Sequence, residues 1–144
     1  MEQYKTGTLA CYTDGASRGN PGPAAFAYIL VAGHGEVVEE GSGFLGRATN
    51  NEAEYRALIA GLSAAGRLGS SDLLVCSDSE LVVRQMTGAY RVSSQRLRPL
   101  YMEAQALTGH FRAVTFRSVP REHPFVARAD LLCNQVLDMH MDRS

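Results

Sequence analysis

The chain has 144 residues, 45% of them hydrophobic and 20% charged, a size and balance that suit one globular domain and exclude the disordered and membrane-spanning classes. Lys and Arg number 14 against 15 Asp and Glu, so the formal net charge is -1 and tight, indiscriminate attraction to a polyanion is not expected. No apolar run reaches bilayer length, and Met1-Glu2-Gln3-Tyr4-Lys5 lacks the basic-then-apolar pattern of a signal peptide, so the expected location is cytoplasmic.

A first strand is expected over Leu9 to Thr13, ending on Asp14, where the chain breaks into the Gly/Pro loop Gly15 to Pro23. Asp14-Gly15 and Asn20-Pro21-Gly22 supply turn chemistry, and taken alone Asp14 reads as a turn former. Ala24 to Val31 is a second β-rich run, stopped by Gly33-His34-Gly35, and Val37-Val38 through Phe44-Leu45 a third. Their short Gly-containing connections point to antiparallel hairpins.

From about Asn51 to Arg67, the residues Tyr55, Leu58, Ile59, Leu62 and Ala65 recur at helical spacing, and Gly69-Ser70-Ser71 ends the pattern. Leu73 to Cys76 is a continuous apolar run, as in a strand buried on both faces, and a helical connection from the meander implies parallel pairing. A short helix follows from Ser79 to Met86, capped by Ser79 or Asp78 and stopped at Gly88. Arg96 to Leu107 forms a third helix with Pro99 in its first turn, and Phe111 to Val119 a fifth strand. From about Val126, the positions Ala129, Leu132, Cys133, Val136 and Leu137 follow the helical period. One domain over residues 1–144 is expected, in the order β-β-β-α-β-α-α-β-α. Cys11, Cys76 and Cys133 are widely spaced in apolar patterns and form neither a disulfide framework nor a CxxC metal pair, so they are expected as buried free thiols.

Four carboxylates stand at or near element ends: Asp14, Glu54, Asp78 and Asp130. Each has an ordinary reading, as a turn residue, a first-turn Glu favoured by the helix dipole, an N-cap and a surface charge. Together, without ligand-spaced Cys or His, they suit hard divalent cations such as Mg²⁺, which take oxygen ligands and keep several waters. Glu52 is the nearest rival to Glu54 but lies on another side of its helix.

The blocks TDGASRGNPGP, ATNNEAEYRALIAGL, CSDSELVVRQMTG and RADLLCNQVLD together resemble ribonuclease H of type 1, in that family's order and over nearly the whole chain. The resemblance implies a ribonuclease H-like α/β fold, a mixed five-stranded sheet flanked by helices. It also implies a monomeric endonuclease that hydrolyses the RNA strand of RNA–DNA hybrids with two Mg²⁺ ions, or Mn²⁺ in their place, leaving 5′-phosphate and 3′-hydroxyl ends. In that family Asp14 would bridge the metals, with Glu54 and Asp78 completing one side and Asp130 the other. Asn20, Asn51 and Glu80 resemble positions facing the minor groove, Thr49 and Asn50 lie in the same loop, and Arg47 would reach a phosphate of the DNA strand. Thr49 and Asn50 read equally well as residues capping the helix.

The chain departs from the family in two places. His123-Pro124 keeps the His-Pro that often begins the final motif, but counting back from Asp130 puts Pro120 where the functional His of the longer bacterial forms sits, and Val126 where an Asn is usual. His123 is therefore a catalytic candidate and, equally, a loop His with no role. Only Gly88 to Arg96 separates the second and third helices, and there is no Trp, as in a short form without the basic protrusion. Arg84, Arg91, Arg96 and Arg98 supply a thinner basic surface or solubilise helix faces. A module that binds hybrids without cutting them is a rival reading, opposed by the carboxylate set, since facing charges are costly without cations. A third reading, another nuclease or transposase of the same fold, is opposed by the place of Glu54 inside the first helix.

Overall fold

Alternating apolar residues at the start of the chain and continuous ones in its middle sort into a single mixed sheet in a computed structural model that describes residues 7–141. The reading of Met1 to Lys5 lies outside the described residues. Strands β1 (Thr8–Ser17), β2 (Gly22–Ala32) and β3 (Val37–Ala48) form the antiparallel meander, and helix α1 (Asn50–Arg67) crosses to β4 (Asp72–Ser77). Two helices, α2 (Glu80–Met86) and α3 (Arg98–Thr108), lead to β5 (Ala113–Ser118), and α4 (Pro124–Met141) follows. The strand order is β3-β2-β1-β4-β5, with β4 parallel to both β1 and β5. Element order, hairpins and parallel pairing agree with the expectations from the sequence.

The two faces of the sheet are covered by different helices, and alternation along β2 sorts the side chains between them. Tyr28, Leu30 and Ala32 join Leu9, Cys11, Leu58, Leu62 and Val75 in the core under α1, which Leu100 and Ala104 of α3 extend. On the opposite face Ala25, Ala27, Ile29 and Val31 meet Ala129, Cys133 and Leu137 of α4. All three cysteines are buried and free, as expected. No helix among the described residues is long and apolar enough to cross a membrane.

The first strand departs from expectation. It does not end at Asp14 but runs to Ser17, because β2 continues to pair with it as far as Ser17 opposite Ala24. The parallel partner β4, in contrast, stops where Thr13 faces Ser77. Asp14 and Gly15 are thus strand residues with one neighbouring strand gone, not turn residues. Gly15 is glycine for a reason other than turn geometry. A Cβ there would lie 2.2 Å from the backbone carbonyl carbon of Ala53, so the first turns of α1 approach β1 only over a residue without a side chain.

Helix ends account for the smaller differences. Thr49 caps α1 in a capping box: its hydroxyl accepts the Glu52 N–H at 3.1 Å, and Glu52 Oε1 accepts the Thr49 N–H at 2.7 Å. Ser79, not Asp78, caps α2, its Oγ accepting the Val82 N–H at 3.3 Å. Pro124 opens α4 two residues before the expected start, a position where a missing N–H costs nothing.

Replacing Gly15 by Ala should push α1 away from β1. The expected destabilisation is at or above the upper end of the roughly 1–3 kcal/mol range for overpacking, read as a fall in thermal midpoint. An unchanged midpoint would show that α1 does not depend on this contact.

Candidate active site

Past Thr13 the edge of β1 that faced β4 is open, and the side chains around this gap make the site. The Gly15 N–H finds no strand partner there and donates instead to Glu54 Oε1 at 3.2 Å. That bond orients Glu54, which the second turn of α1 carries across the top of β1. Asp78 is the residue after β4 ends. Its neighbours are occupied with the turn, since Ser77 Oγ accepts the Ser79 N–H at 3.0 Å and Ser79 caps α2, so the Asp78 carboxylate is free to face Asp14. One oxygen each from Asp14, Glu54 and Asp78 lie within 4.8 Å of one another.

Asp130 comes from the other side of the sheet. It is not one of that group of three, but it acts on Asp14 through its charge and a side-chain hydrogen bond. Asn134, one turn along α4, donates Nδ2–H to Asp130 Oδ2 at 3.3 Å and to its carbonyl at 3.1 Å. The thiol of Cys133 donates to the Asp14 carbonyl at 3.4 Å, tying α4 to the strand at this point.

The electrostatics are those of crowded, desolvated anions. Burial first, then the charges of Asp78 and Asp130, push the Asp14 carboxyl up to about 8. Burial likewise holds Glu54 well above its usual range, with Asp14 and Asp78 adding to the rise and the Gly15 N–H and Arg121 opposing it. Asp78 is raised by burial against the pull of Arg121. Oδ2 of Asp14 and Oδ1 of Asp78 are buried with no hydrogen-bond partner among the described residues. Buried oxygens without donors are rare and call for an explanation. A hard divalent cation is one that fits, because the donors are all carboxylate oxygens with excess negative charge.

The other residues singled out in the sequence flank this cluster. Asn20 Oδ1 accepts the Asn50 N–H at 2.9 Å and Asn50 Oδ1 accepts the Ser17 N–H at 3.3 Å, so the β1–β2 loop and the start of α1 form one polar surface. Asn51 is exposed on it, whereas the Thr49 hydroxyl is taken by the helix cap. Glu80 is exposed and pairs with Arg84 at 2.9 Å. Arg47 lines a hollow of about 320 Å³ with Arg56, Arg96 and Glu52. The His123 ring stacks on Tyr12 at 4.8 Å, and its Nδ1 accepts the Phe125 N–H at 3.2 Å. Of the four arginines beside the missing protrusion, Arg84 is paired, Arg96 lies 3.9 Å from Glu52 and Arg98 donates to the Val92 carbonyl at 3.3 Å. Arg121 and Asn134 went unread in the sequence. Asn134 could have been found from its place one turn after Asp130; a lone Arg in a loop carries no such signal.

Known proteins resemble this chain in sequence and fold. The family model described as "Reverse transcriptase-like" matches residues 12–136. The chain is 47% identical to the Ribonuclease HI of Halobacterium salinarum over 138 residues, covering 96% of this chain and 68% of that protein. The crystal structure of the RNase H1 of Halobacterium salinarum NRC-1 superposes with a TM-score of 0.88 over 92% of this chain and 99% of that one. The bifunctional protein Rv2228c of Mycobacterium tuberculosis is 48% identical over 87% of this chain, which spans only 34% of that longer protein. The crystal structure of LC11-RNase H1 in complex with RNA/DNA hybrid has a TM-score of 0.87 at 36% identity, covering 92% of this chain and 99% of that one.

A carboxyl whose folded value, about 8, lies above its ordinary 3.8 is protonated on folding between those limits. Its stability contribution is therefore full below pH 3.8 and is lost as pH rises toward 8. In EDTA the thermal midpoint should fall across that interval, and Asp14→Asn should flatten the fall and unfold at a higher temperature at the alkaline end. A variant less stable than the parent there would show that repulsion is not the dominant force at Asp14.

Proposed function

The chain belongs to the type 1 ribonuclease H family, and we propose that it is a single-domain endonuclease over residues 1–144 that hydrolyses the RNA strand of RNA–DNA hybrids, leaving 5′-phosphate and 3′-hydroxyl ends. The observation that carries this reading is the convergence of Asp14, Glu54 and Asp78 within 4.8 Å, with two of their buried oxygens lacking a donor. Two divalent ions, Mg²⁺ with Mn²⁺ as substitute, would supply an activated water and neutralise charge on the attacking and leaving oxygens of the phosphodiester.

Asp14, Glu54, Asp78 and Asp130 would hold these ions, with Asp14 lying between the carboxylates that arrive from the two faces of the sheet. Glu54 is held by the Gly15 N–H and Asp130 by Asn134, so neither has to find its orientation when a cation arrives. Asn20, Asn50, Asn51, Thr49 and Glu80 offer polar groups suited to 2′-hydroxyls and the minor groove, which is how RNA-containing duplexes are told from DNA. Arg47 faces a DNA-strand phosphate. His123 would offer its Nε2–H as a hydrogen bond to the departing oxygen, since Nδ1 accepts from Phe125 and the neutral tautomer then carries its hydrogen on Nε2, while the oxygen takes its proton from water. The protein acts as a monomer in the cytoplasm.

A hybrid labelled on the RNA strand should be cut in Mg²⁺ and left intact in EDTA. Folded Asp14→Asn should retain little cleavage, an amide being a poor ligand between two cations; near-normal cutting by that variant would overturn the site assignment. His123→Ala should lose no more than the roughly 10²–10⁴-fold typical of general acid–base help, and unchanged turnover would leave His123 a packing residue over Tyr12. With most nearby arginines already engaged within the protein, KM should depend weakly on salt. Each neutralised phosphate adds roughly 0.7–0.9 to the slope of log affinity against log salt, and a slope corresponding to six or more phosphates would contradict the weak grip inferred here.

A further inference from the structure

Alternation along β1 turns Ala10, Tyr12 and Ala16 toward the face covered by α4, and Arg18 is the next position in that series, just past the strand's end at Ser17. Its backbone is fixed there. The Arg18 N–H donates to the Pro23 carbonyl at 2.8 Å, and the Arg18 carbonyl packs so closely on Gly22 that a Cβ at Gly22 would overlap it. On α4, Asp130, Asn134 and Asp138 follow at four-residue intervals and so form a row along one side of the helix.

Arg18 lies across the far end of that row. Its Nη2 donates to Asn134 Oδ1 at 3.1 Å and lies 2.8 Å from Asp138 Oδ1, and Nη1 donates to the Met141 sulfur at 3.3 Å. The ion pair with Asp138 is at the surface, where such pairs contribute little. The bond to Asn134 differs because of what stands on the other side of the amide: Asn134 Nδ2 donates to the Asp130 carbonyl and to Asp130 Oδ2. An Asn side chain can turn its two ends about with little change of shape, but a guanidinium offers only donors and an ionised carboxylate only acceptors. With Arg18 in place, the flipped amide would set donor against donor at Arg18 and acceptor against acceptor at Asp130. Arg18 thus fixes the polarity of the amide that Asp130 meets.

Resting on the ribonuclease reading above, in which Asp130 would hold one of the ions, we propose that Arg18 is a positioning residue for the cleavage centre: acting through Asn134, it holds the Asp130 carboxylate in one orientation before a cation arrives. Arg18 itself touches neither hybrid nor metal in this role. The loop that bears Asn20 keeps its own backbone closure and its tie to Asn50, so the effect falls on the metal side of the site and not on the grip of the hybrid.

The test compares the parent with Arg18→Met, which keeps the apolar stem without donors, Arg18→Lys, which keeps donors, Asp138→Ala and Asn134→Ala, after unfolding curves show that each folds. Two readouts need no turnover: exchange of the Asn134 side-chain amide hydrogens with water, followed by NMR, and Mn²⁺ binding to the hybrid-free protein, followed by calorimetry. Hybrid cleavage over a range of Mg²⁺ gives kcat, KM and the Mg²⁺ concentration for half activity. Removing a group that orients a ligand costs about 10–100-fold in metal affinity or activity, so Asn134→Ala is expected in that range and Arg18→Met, one bond further out, at about 3–10-fold. In Arg18→Met the Asn134 hydrogens should exchange faster, Mn²⁺ should bind more weakly and half activity should need more Mg²⁺, with KM for the hybrid unchanged at saturating metal. Arg18→Lys should return most of each loss, Asp138→Ala should match the parent, and Arg18→Met added to Asn134→Ala should cost nothing more. Parent-like behaviour of Arg18→Met, an equal loss in Asp138→Ala, or additive losses in the double variant would overturn the proposal and leave Arg18 a clasp between loop and helix. A parent that fails to cut the hybrid would instead overturn the ribonuclease reading, while amide exchange and Mn²⁺ binding would still decide the role of Arg18.

Discussion

Parallel pairing between β1 and β4 ends at Thr13 and Ser77 while β1 continues along β2, and the gap so opened beside Asp14 is the constraint on which the site depends. A strand edge without its neighbour leaves backbone donors to be satisfied. Glu54 satisfies one of them at Gly15 and is fixed in place by doing so. The same termination releases Asp78 at the end of β4, and the absence of a Cβ at Gly15 lets α1 approach closely enough for Glu54 to reach. One early strand end thereby gathers three charges, and α4 brings the fourth from the opposite face.

Such a gathering opposes folding. Anions that share a desolvated space raise one another's proton affinity, and the frame around them must be stable enough to hold them together. Here the frame is apolar and independent of the charges: the α1 core on one face, and on the other the small side chains of β2 against Ala129, Cys133 and Leu137. Cations that bind only the folded arrangement would offset the repulsion by mass action, so the site is at once the weak point of the metal-free protein and a means of stabilising the loaded one.

Much of this was legible in the sequence because it rests on patterns with a physical period. The helical spacing of Tyr55, Leu58 and Leu62, the apolar run at Leu73 to Cys76 and the carboxylates near element ends all carry local signals. Three things did not. Asp14-Gly15 looks like a turn because the pair favours one, whereas the actual demand on Gly15 is a helix arriving from residues far along the chain. Asp78 and Ser79 are both good caps, and only the bond from Val82 decides between them. The place of Arg121 is set by a turn anchored on Ser77 of β4 and on Tyr12 of β1, and a one-dimensional reading has no counterpart for that. His123 is the converse case: its neighbours in sequence suggested chemistry, and the structure gives it a stacking partner in Tyr12 and an acceptor role toward Phe125.

The position of Asp130 on the last helix has a consequence for how the protein comes into being. Three of the four carboxylates belong to elements complete by Ser77 and the turn after it, but the fourth arrives with α4, which docks on β1 and β2 from the far side. During vectorial synthesis a chain emerging from the ribosome could form the meander, α1 and β4 and still lack α4, the helix that closes over the second face. The full carboxylate set therefore waits on α4, the last of the described elements in chain order, and a chain that holds the meander, α1 and β4 without it has three of the four ligands and no second cover for the sheet.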